Sequence, residues 1–296
     1  MSGFSRRQFL RRSTTNVAGA GLLASAMRKL RANPLGLPIG SQTYPHRQRI
    51  KNGDFAGLCA DMAALGIGSI ELCSPGYEEF VSLSDGKQTR KIIQDHGLQC
   101  PSSHFDLEEL RNKQVQSIAW ALEIGMAQMG TASLDGKVEN GVTTMDTVKR
   151  LAEEYNKIGE NAAKAGIQQF LHDERFEMSK VDGRRTYEVL LELLDPKYVK
   201  MQFQMSAMRA VGDPVTYFTK YPGRFISMHL QGVDLNAPEP GRGQRGGPQL
   251  AVGKDSLDWA KIFAAAKTGG VKNYFVEQNW DLTVQSVAYL KTLNVS

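Results

Sequence analysis

Eight short apolar runs alternate with longer helical patterns along the chain from Leu37 onward. The runs are LPIGSQTY, IGSIELC, LQCPSSHF, MAQMGTAS, IQQFLH, VKMQFQM, RFISMHL and KNYFVEQ. Between them, apolar residues recur at spacings of three and four, which predicts helices over Phe55 to Leu65, Gly86 to His96, Asn112 to Ile124, Thr144 to Ala165 and Arg184 to Leu194. Such an alternation is typical of βα units around a parallel sheet.

Two α/β folds could be built from these units. Eight strands with intervening helices in about 260 residues fit a (β/α)8 TIM barrel, although the first units alone also fit an open doubly wound sheet. The sequence has no glycine fingerprint that would favour the open sheet. We therefore predict a single-domain TIM barrel over residues 34–296.

The N-terminal sequence SRRQFLRRS resembles a twin-arginine export signal. Arg6 and Arg7 follow a serine, a weakly apolar stretch runs from Val17 to Met27, and Ala24-Ser25-Ala26 suits a signal peptidase. We predict that residues 1–33 are a twin-arginine (Tat) signal peptide and linker, with the Tat machinery as a partner and a periplasmic or other extracytoplasmic location. A basic tail with no signal function is the alternative.

The basic charge of the chain lies mainly in this leader. Residues 1–33 contain seven of the 36 Lys and Arg residues and no acidic residue, so 29 bases remain against 31 acids, a net charge of −2. This balance argues against nucleic acid as a partner. No apolar run reaches 18 residues, so we predict no transmembrane segment in the mature protein. Self-association into a homo-oligomer stays open.

Three cysteines, Cys59, Cys73 and Cys100, are far apart in sequence and show no CxxC spacing. We predict that they are buried small apolar residues, with one disulfide as the alternative.

The segment from Asn236 to Ser256 is rich in Gly and Pro, which predicts a long loop after the seventh strand. Such a loop is either a functional lid or a tolerated insertion.

Polar residues recur where the predicted strands end. They are Gln42, Tyr44, Glu71, His104, His172, Asp173, Glu174, Gln204, His229, Gln231, Glu277 and Gln278. One such residue alone would more often be solvated or cap a helix, but in a barrel all strand ends meet at one mouth. Imidazoles and carboxylates brought together there would bind a divalent metal, which polarises an oxygen while carboxylates move protons between adjacent carbons.

With these motifs the chain resembles the xylose isomerase-like barrel family, and within it the sugar phosphate isomerase/epimerase group. The resemblance runs from about Leu37 to the C-terminus. It is carried by IGSQTYPHR, GIGSIEL, GLQCPSSHFDL, GIQQFLHDERFE, GDPVTYFTKYPGRFISMHL and VGKDSLDWAKIFAAAKTGGVKNYFVEQNW, of which the last two are the most specific.

The resemblance implies that the ends of strands five to eight hold a metal. The residues at those positions are His172, Gln204, His229 and Glu277. Gln204 stands where members usually carry an Asp, and Gln231 stands where a Lys often follows the strand-seven His. In addition, Asp173 and Glu174 replace the Asn and second His of a common His-Asn-His motif. The metal, expected to be Mn, Zn, Co or Mg, therefore has a weakened or altered site.

The resemblance also implies roles for the other residues of the mouth. We expect catalytic roles for Glu174, Glu277 and His104, and substrate binding by Gln42, Tyr44, Arg47, Glu71, Glu177 and Gln231. Glu277 or Glu174 would exchange a proton with a carbon next to a carbonyl of a carbohydrate or keto-sugar. Glu174 could instead only pair with Arg175 or Arg185.

Three other functions remain open from the sequence. The same residues could support lyase chemistry on 3-keto-glycosides, in which the glycosidic bond leaves by elimination. Gln204 and Gln231 also fit a sugar-binding barrel without catalysis. A DNA-repair endonuclease on this barrel is a weaker alternative, because an export signal and an almost uncharged mature chain fit poorly with a phosphate backbone.

Overall fold

The computed structural model describes residues 33–237 and 249–295, in which all eight predicted strands form one closed parallel barrel. The predicted fold class is confirmed. The strands are β1 (Gly40–Gln42), β2 (Ser69–Cys73), β3 (Gln99–His104), β4 (Gln128–Thr131), β5 (Gln168–His172), β6 (Val199–Gln204), β7 (Phe225–Leu230) and β8 (Asn273–Val276). Each strand pairs with the next, and β8 closes on β1 with Phe275 opposite Gly40. The predicted signal, except for its last residue, lies outside the described residues.

Helices surround the barrel between consecutive strands. They are α1 (Arg47–Lys51), α2 (Phe55–Leu65), α3 (Gly86–Asp95), α4 (Leu107–Asn112), α5 (Gln114–Ile124), α6 (Met145–Lys164), α7 (Thr186–Leu193), α8 (Met208–Val211), α9 (Pro214–Lys220), α10 (Trp259–Gly269) and α11 (Trp280–Leu290). Short 3-10 turns occur at Pro34–Gly36, Tyr44–His46, Glu78–Leu83, Phe176–Met178 and Met205–Ala207.

Two helices differ from the sequence prediction at their N-terminal ends. The helix predicted to start at Asn112 is preceded by a separate helix, since Lys113 leaves helical geometry at φ −136° and divides α4 from α5. The helix predicted from Arg184 begins only at Thr186, because Arg184–Arg185 pairs antiparallel with Lys180–Val181 in a small hairpin. Both differences arise from local backbone geometry that a 3.6-residue period does not encode.

Side-chain caps define where several helices start at the mouth. Asp85, Asp106, Thr144, Asp213, Asp258 and Asn279 each accept a hydrogen bond from a backbone N–H of the following helix. The Asn279 cap lies two residues after Glu277 and bonds the backbone N–H of Leu282 at 3.1 Å. It therefore holds the chain that carries Glu277 to the start of α11.

The barrel interior has an aromatic floor below the mouth. The Phe170 ring lies against His104, with ring centroids 5.5 Å apart, and the Phe275 ring lies against His229 at 6.1 Å. Gly40 and Gly130 give these rings their space, because a Cβ at Gly130 would lie 2.4 Å from the Phe170 ring and one at Gly40 would lie 2.6 Å from that of Phe275. Apolar packing thus closes the barrel under its polar upper layer.

The segment after β7 is tied to the barrel at its base. The Leu250 carbonyl accepts a hydrogen bond from Gly232 N at 3.0 Å and another from Gln278 Nε2 at 2.6 Å. The predicted long loop lies partly outside the described residues.

All three cysteines are buried and unpaired, so the buried-thiol prediction is confirmed and the disulfide alternative is wrong. Among the described helices, none has both the length and the apolarity that crossing a membrane requires.

Candidate active site

Three histidines from alternate strands meet at the mouth. His104 ends β3, His172 ends β5 and His229 is the second-last residue of β7. Residues of alternate strands point into the same interior layer of a TIM barrel, which explains why these three converge. Their ring centroids lie 4.5 to 5.3 Å apart, one ligand atom of each lies within 4.8 Å of those of the others, and all three side chains are buried.

A buried carboxylate, Glu71 of β2, lies beside this group and is 0% exposed. Its Oε1 accepts hydrogen bonds from Ser102 Oγ at 2.6 Å and Gln202 Nε2 at 2.9 Å. Its Oε2 lies 2.5 Å from His229 Nε2 and 3.2 Å from His104 Nε2. Burial would raise the pKa of Glu71, but the charges and hydrogen bonds of His104 and His229 outweigh it and hold this pKa well below its ordinary value. Glu71 is therefore ionised.

The charge of Glu71 determines the tautomers around it. An ionised carboxylate can only accept, so Gln202 must turn its NH2 group towards Glu71. The Oε1 of Gln202 then faces His104 Nε2 at 2.7 Å, and that nitrogen must carry the proton. His229 likewise donates from Nε2 to Glu71. Since the Nε2 atoms serve these bonds, Nδ1 is the nitrogen that His104 and His229 have left for another partner.

Two of the Nδ1 atoms are buried without a hydrogen-bond partner among the described residues, those of His172 and His229. The Nδ1 of His229 lies 3.4 Å from Oε2 of Glu277, which is an ion-pair distance outside hydrogen-bond geometry. Buried imidazole nitrogens that lack a partner are what a metal site presents before its ion binds. The three histidines are thus compatible with a divalent metal, and their chemistry suits a transition metal.

The histidines differ in charge. Burial, together with the neighbouring imidazoles, lowers the pKa of His172 well below its ordinary value, so His172 is neutral. Burial would also lower the pKa of His229, but the charges of Glu71 and Glu277, together with the hydrogen bond to Glu71, raise it to about 10. A proton on His229 therefore balances the carboxylates when no other cation is there. A bound metal would replace that proton.

Glu277 is the first residue after β8 and carries the second carboxylate. Its Oε2 accepts hydrogen bonds from Gln204 Nε2 at 2.6 Å and Gln231 Nε2 at 2.9 Å, and the side chain is 17% exposed. Burial would raise the pKa of Glu277, but the charge of the nearby His229 and the hydrogen bond from Gln204 lower it overall. Glu277 is an ionised carboxylate that reaches the surface of the mouth.

No protein-family model and no curated protein matches this sequence. Solved structures do match. A sugar phosphate isomerase/epimerase from Parabacteroides distasonis is 21% identical, with a TM-score of 0.68 over 87% of this chain and 96% of that one. A probable 3-DHS dehydratase from Bacillus anthracis is 13% identical, with a TM-score of 0.66 over 86% and 98% of the two chains. A xylose isomerase-like TIM barrel protein from Mycobacterium smegmatis, in complex with magnesium, is 16% identical, with a TM-score of 0.64 over 86% and 95%.

The chain has the (β/α)8 TIM-barrel fold of these proteins. At these identities the likeness concerns the fold, and the site must be judged on this chain's own residues. The barrel brings three predicted residues, Gln204, His229 and Gln231, around the carboxylate of a fourth, Glu277. His104, expected to be catalytic, lies instead within the histidine group beside His172.

The residues that follow His172 separate into an inner and an outer set. Asp173 is buried, its Oδ1 accepts from Gln204 N at 2.8 Å, and burial raises its pKa well above the ordinary value. Glu174 is half-buried at the rim and does not belong to the histidine group. Burial is the main cause of the raised pKa values of Cys73 and Tyr77, and the charge of Glu174 adds to both. Glu174 therefore lies near the β2 side of the mouth.

Glu177 is positioned as an anchor between two loops. Its Oε2 accepts from Ser133 Oγ at 2.6 Å and its Oε1 accepts from Leu134 N at 2.8 Å, which joins the loop after β5 to the loop after β4. The side chain is fully buried, and burial raises its pKa to about 7. The geometry favours a structural role for this residue, for which the sequence predicts substrate binding.

The remaining predicted residues lie on the β1 side of the mouth. Gln42 is buried, accepts a hydrogen bond from Tyr44 N and donates to Cys73 Sγ at 3.6 Å. Tyr44 is 39% exposed, and the Arg47 guanidinium lies 4.3 Å from its ring centroid. Arg47 also pairs with Glu79 at 3.3 Å. Tyr44 and Arg47 thus lie at the rim of the mouth, where a ligand could contact them. The buried Gln42 holds the backbone of Tyr44 in place.

Sequence reasoning missed Gln202, which links Glu71 to His104. The signal was present in VKMQFQM, because Gln202 and Gln204 are two residues apart and must point to the same face of a strand. Gln204 was recognised at the strand end, and its spacing to Gln202 placed both inside the barrel. Gln202 also donates to Ser227 Oγ at 2.9 Å, so the missed residue connects β6 to three other strands.

The raised pKa of Glu177 predicts a pH-dependent stability. The folded protein holds this proton more tightly than the unfolded chain, so ionisation of Glu177 lowers the free energy of unfolding as the pH rises from 4.5 to about 7. The variant Glu177→Gln has a side chain of nearly the same shape that does not titrate. Relative to it, the free energy of unfolding of the wild type should fall by on the order of 3 kcal/mol across this pH range. Urea unfolding of both proteins at several pH values measures it. A stability difference that does not change with pH would contradict the prediction.

Proposed function

We propose that the protein is a metal-dependent sugar isomerase or epimerase that transfers a proton at a carbon next to a carbonyl group. The observation that carries this proposal is the buried group of His104, His172 and His229 beside the ionised Glu277 at the barrel mouth. A structurally similar protein named as a sugar phosphate isomerase/epimerase supports the reaction class. The substrate class is a carbohydrate or keto-sugar.

His104, His172 and His229 would hold the divalent cation, and imidazole ligands favour Zn, Co or Mn over Mg. When bound, the cation polarises a carbonyl or hydroxyl oxygen of the sugar. Glu277 and Gln204 are the further ligands that the sequence predicts. Since Gln204 donates its amide N–H to Glu277, its Oε1, which is buried without a partner among the described residues, is the atom it could still offer.

The protein's own residues supply the proton transfer. Glu277 is ionised and reaches the mouth, so it can accept a proton from a carbon held above the histidines. Phe170 and Phe275 close the barrel below and keep water from reaching the site from that side. The exposed ring of Tyr44 offers a sugar an apolar face at the rim.

A lyase is the second candidate, because a probable dehydratase shares the fold at a TM-score of 0.66. Dehydration is an elimination that can begin with removal of a proton next to a carbonyl. On a 3-keto-glycoside the same first step, followed by departure of the glycosidic oxygen, would cleave the bond. Glu277 would be the base in both reactions, so only the product separates them.

We also propose that the protein is exported. The support is the twin-arginine pattern around Arg6 and Arg7, followed by a weakly apolar stretch and a small-residue cleavage site. Cytoplasmic folding before twin-arginine export would allow the metal to be loaded first.

The metal proposal predicts close to one transition-metal ion per chain in the purified mature protein, measured by elemental analysis. The double variant His172→Ala with His229→Ala should lose it, because two imidazole ligands are removed. His96→Ala is the control, since His96 directly follows α3 and its Nδ1 donates to the Ile92 carbonyl at 2.8 Å. Full metal occupancy in the double variant would refute this ligand set.

The proton-transfer proposal predicts that deuterium from D2O enters a carbon next to the carbonyl of a keto-sugar, measured by NMR with a panel of free keto-sugars and 3-keto-glycosides. Glu277→Gln should lower the rate by about 100-fold or more, because the base is lost. A comparable loss in Glu174→Gln alone would move the base to Glu174. Cleavage of a glycosidic bond would support the lyase, and neither exchange nor cleavage in the wild type would overturn both.

The export proposal predicts that Arg6→Lys with Arg7→Lys keeps the full-length protein in the cytoplasm, because the signal requires the arginine pair. Fractionation and immunoblotting of an expressing bacterium measure the location. Arg11→Lys is the matched control and should still be exported. Equal distribution of wild type and double variant would show that the leader has another role.

A further inference from the structure

Two glutamine amides converge on one oxygen of Glu277. Gln204 ends β6 and Gln231 directly follows β7, and their Nε2 atoms lie 2.6 Å and 2.9 Å from Oε2 of Glu277. Both glutamines are buried, at 4% and 8% exposure. Every side-chain hydrogen bond that the described residues make to this carboxylate ends on Oε2.

We infer that Gln204 and Gln231 are positioning residues that orient the Glu277 carboxylate and leave Oε1 as the oxygen that accepts the proton. The inference rests on the proposed function. Hydrogen bonds to an ionised acceptor are short and strong, and two of them on one oxygen prevent the carboxylate from rotating about its last bond. Both donors also stabilise negative charge on Oε2, so the unbonded oxygen is the more available one.

The orientation of the Gln204 amide supports this role. Its carbonyl oxygen is buried without a hydrogen-bond partner among the described residues, which is unfavourable. Rotating the amide by a half-turn would not satisfy that oxygen, because it would then face Oε2 of Glu277, and two acceptors repel each other. The structure thus retains an unsatisfied acceptor in order to place the N–H on Glu277.

The backbone of Gln204 is also held in place. Its N–H donates to Oδ1 of Asp173 at 2.8 Å, and Gln204 pairs in register with His229 across β6 and β7. Asp173 itself is fully buried. The glutamine side chain therefore starts from a rigid point, which a positioning residue requires.

A double-mutant cycle tests the inference. Gln204→Leu should lower kcat for deuterium exchange by about 10- to 100-fold with KM changed less than about threefold, because a misplaced base mainly affects the chemical step. Gln231→Leu should act in the same direction. In the Glu277→Gln background neither substitution should lower the residual rate further. An equal additional loss in that background, or an effect on KM alone, would overturn the inference.

Metal content distinguishes positioning from ligation. Gln204→Leu should keep the transition metal of the wild type, measured by elemental analysis, and loss of the metal would make Gln204 a ligand instead. Gln128→Leu is a matched control, since Gln128 is a buried glutamine of β4 that accepts a hydrogen bond from Asn273 Nδ2 at 3.1 Å, at the end of β8 opposite to Glu277. It should leave kcat within about twofold, as distant sites act independently.

Crystal structures of the wild type and of a double variant test the positioning role without using the reaction. If the wild type shows no exchange and no cleavage, the proposed function fails, but the orientation of the Glu277 carboxylate can still be compared. The carboxylate should have one orientation in the wild type, and it should rotate or occupy two orientations in the double variant Gln204→Leu with Gln231→Leu. An unchanged carboxylate in that variant would refute the positioning role.

Discussion

The charge of Glu71 is the constraint around which the upper barrel is organised. A carboxylate that is 0% exposed must be matched by donors and positive charge, because an uncompensated buried ion is very costly. Ser102, Gln202 and His229 donate to it from three other strands. These bonds settle the tautomers of His104 and His229, so the nitrogens that these two histidines present at the mouth depend on a fully buried carboxylate.

The site is consequently rigid at its centre and more open at its rim. Glu277 is held by Gln204 and Gln231, and Gln204 is in turn held through its backbone by Asp173. Tyr44 and Glu174, by contrast, lie at the partly exposed edge. Catalytic groups supported in this way lose little conformational entropy when a substrate binds, whereas the rim can adapt to the substrate's shape.

Periodicity was sufficient to predict the eight strands and five of the helices between them, and therefore the barrel. Strand ends also pointed to His104, His172, His229 and Glu277, because barrel topology brings such positions together whatever their separation in sequence. The partners of each side chain could not be predicted. Whether Glu71 meets water or two imidazoles depends on strand register and on a register shift between β2 and β3, and neither is visible in one sequence.

The functional role of a single side chain was the hardest property to predict from its residue type. Glu177 has a carboxylate that could bind a ligand, yet its oxygens accept hydrogen bonds from Ser133 Oγ and from the backbone N–H of Leu134. Gln204 is a similar case. An amide can donate or accept, and only the position of Glu277 decides which of the two it does.

Two hydrogen bonds to the Leu250 carbonyl tie the segment after β7 to the strand ends of the site. Gly232 and Gln278, which donate to this carbonyl, flank the strand ends that carry His229 and Glu277. The chain between positions 232 and 250 therefore starts and finishes at fixed points. Insertions or deletions between these two points would therefore leave His229 and Glu277 where they are, because both ends of the segment are fixed.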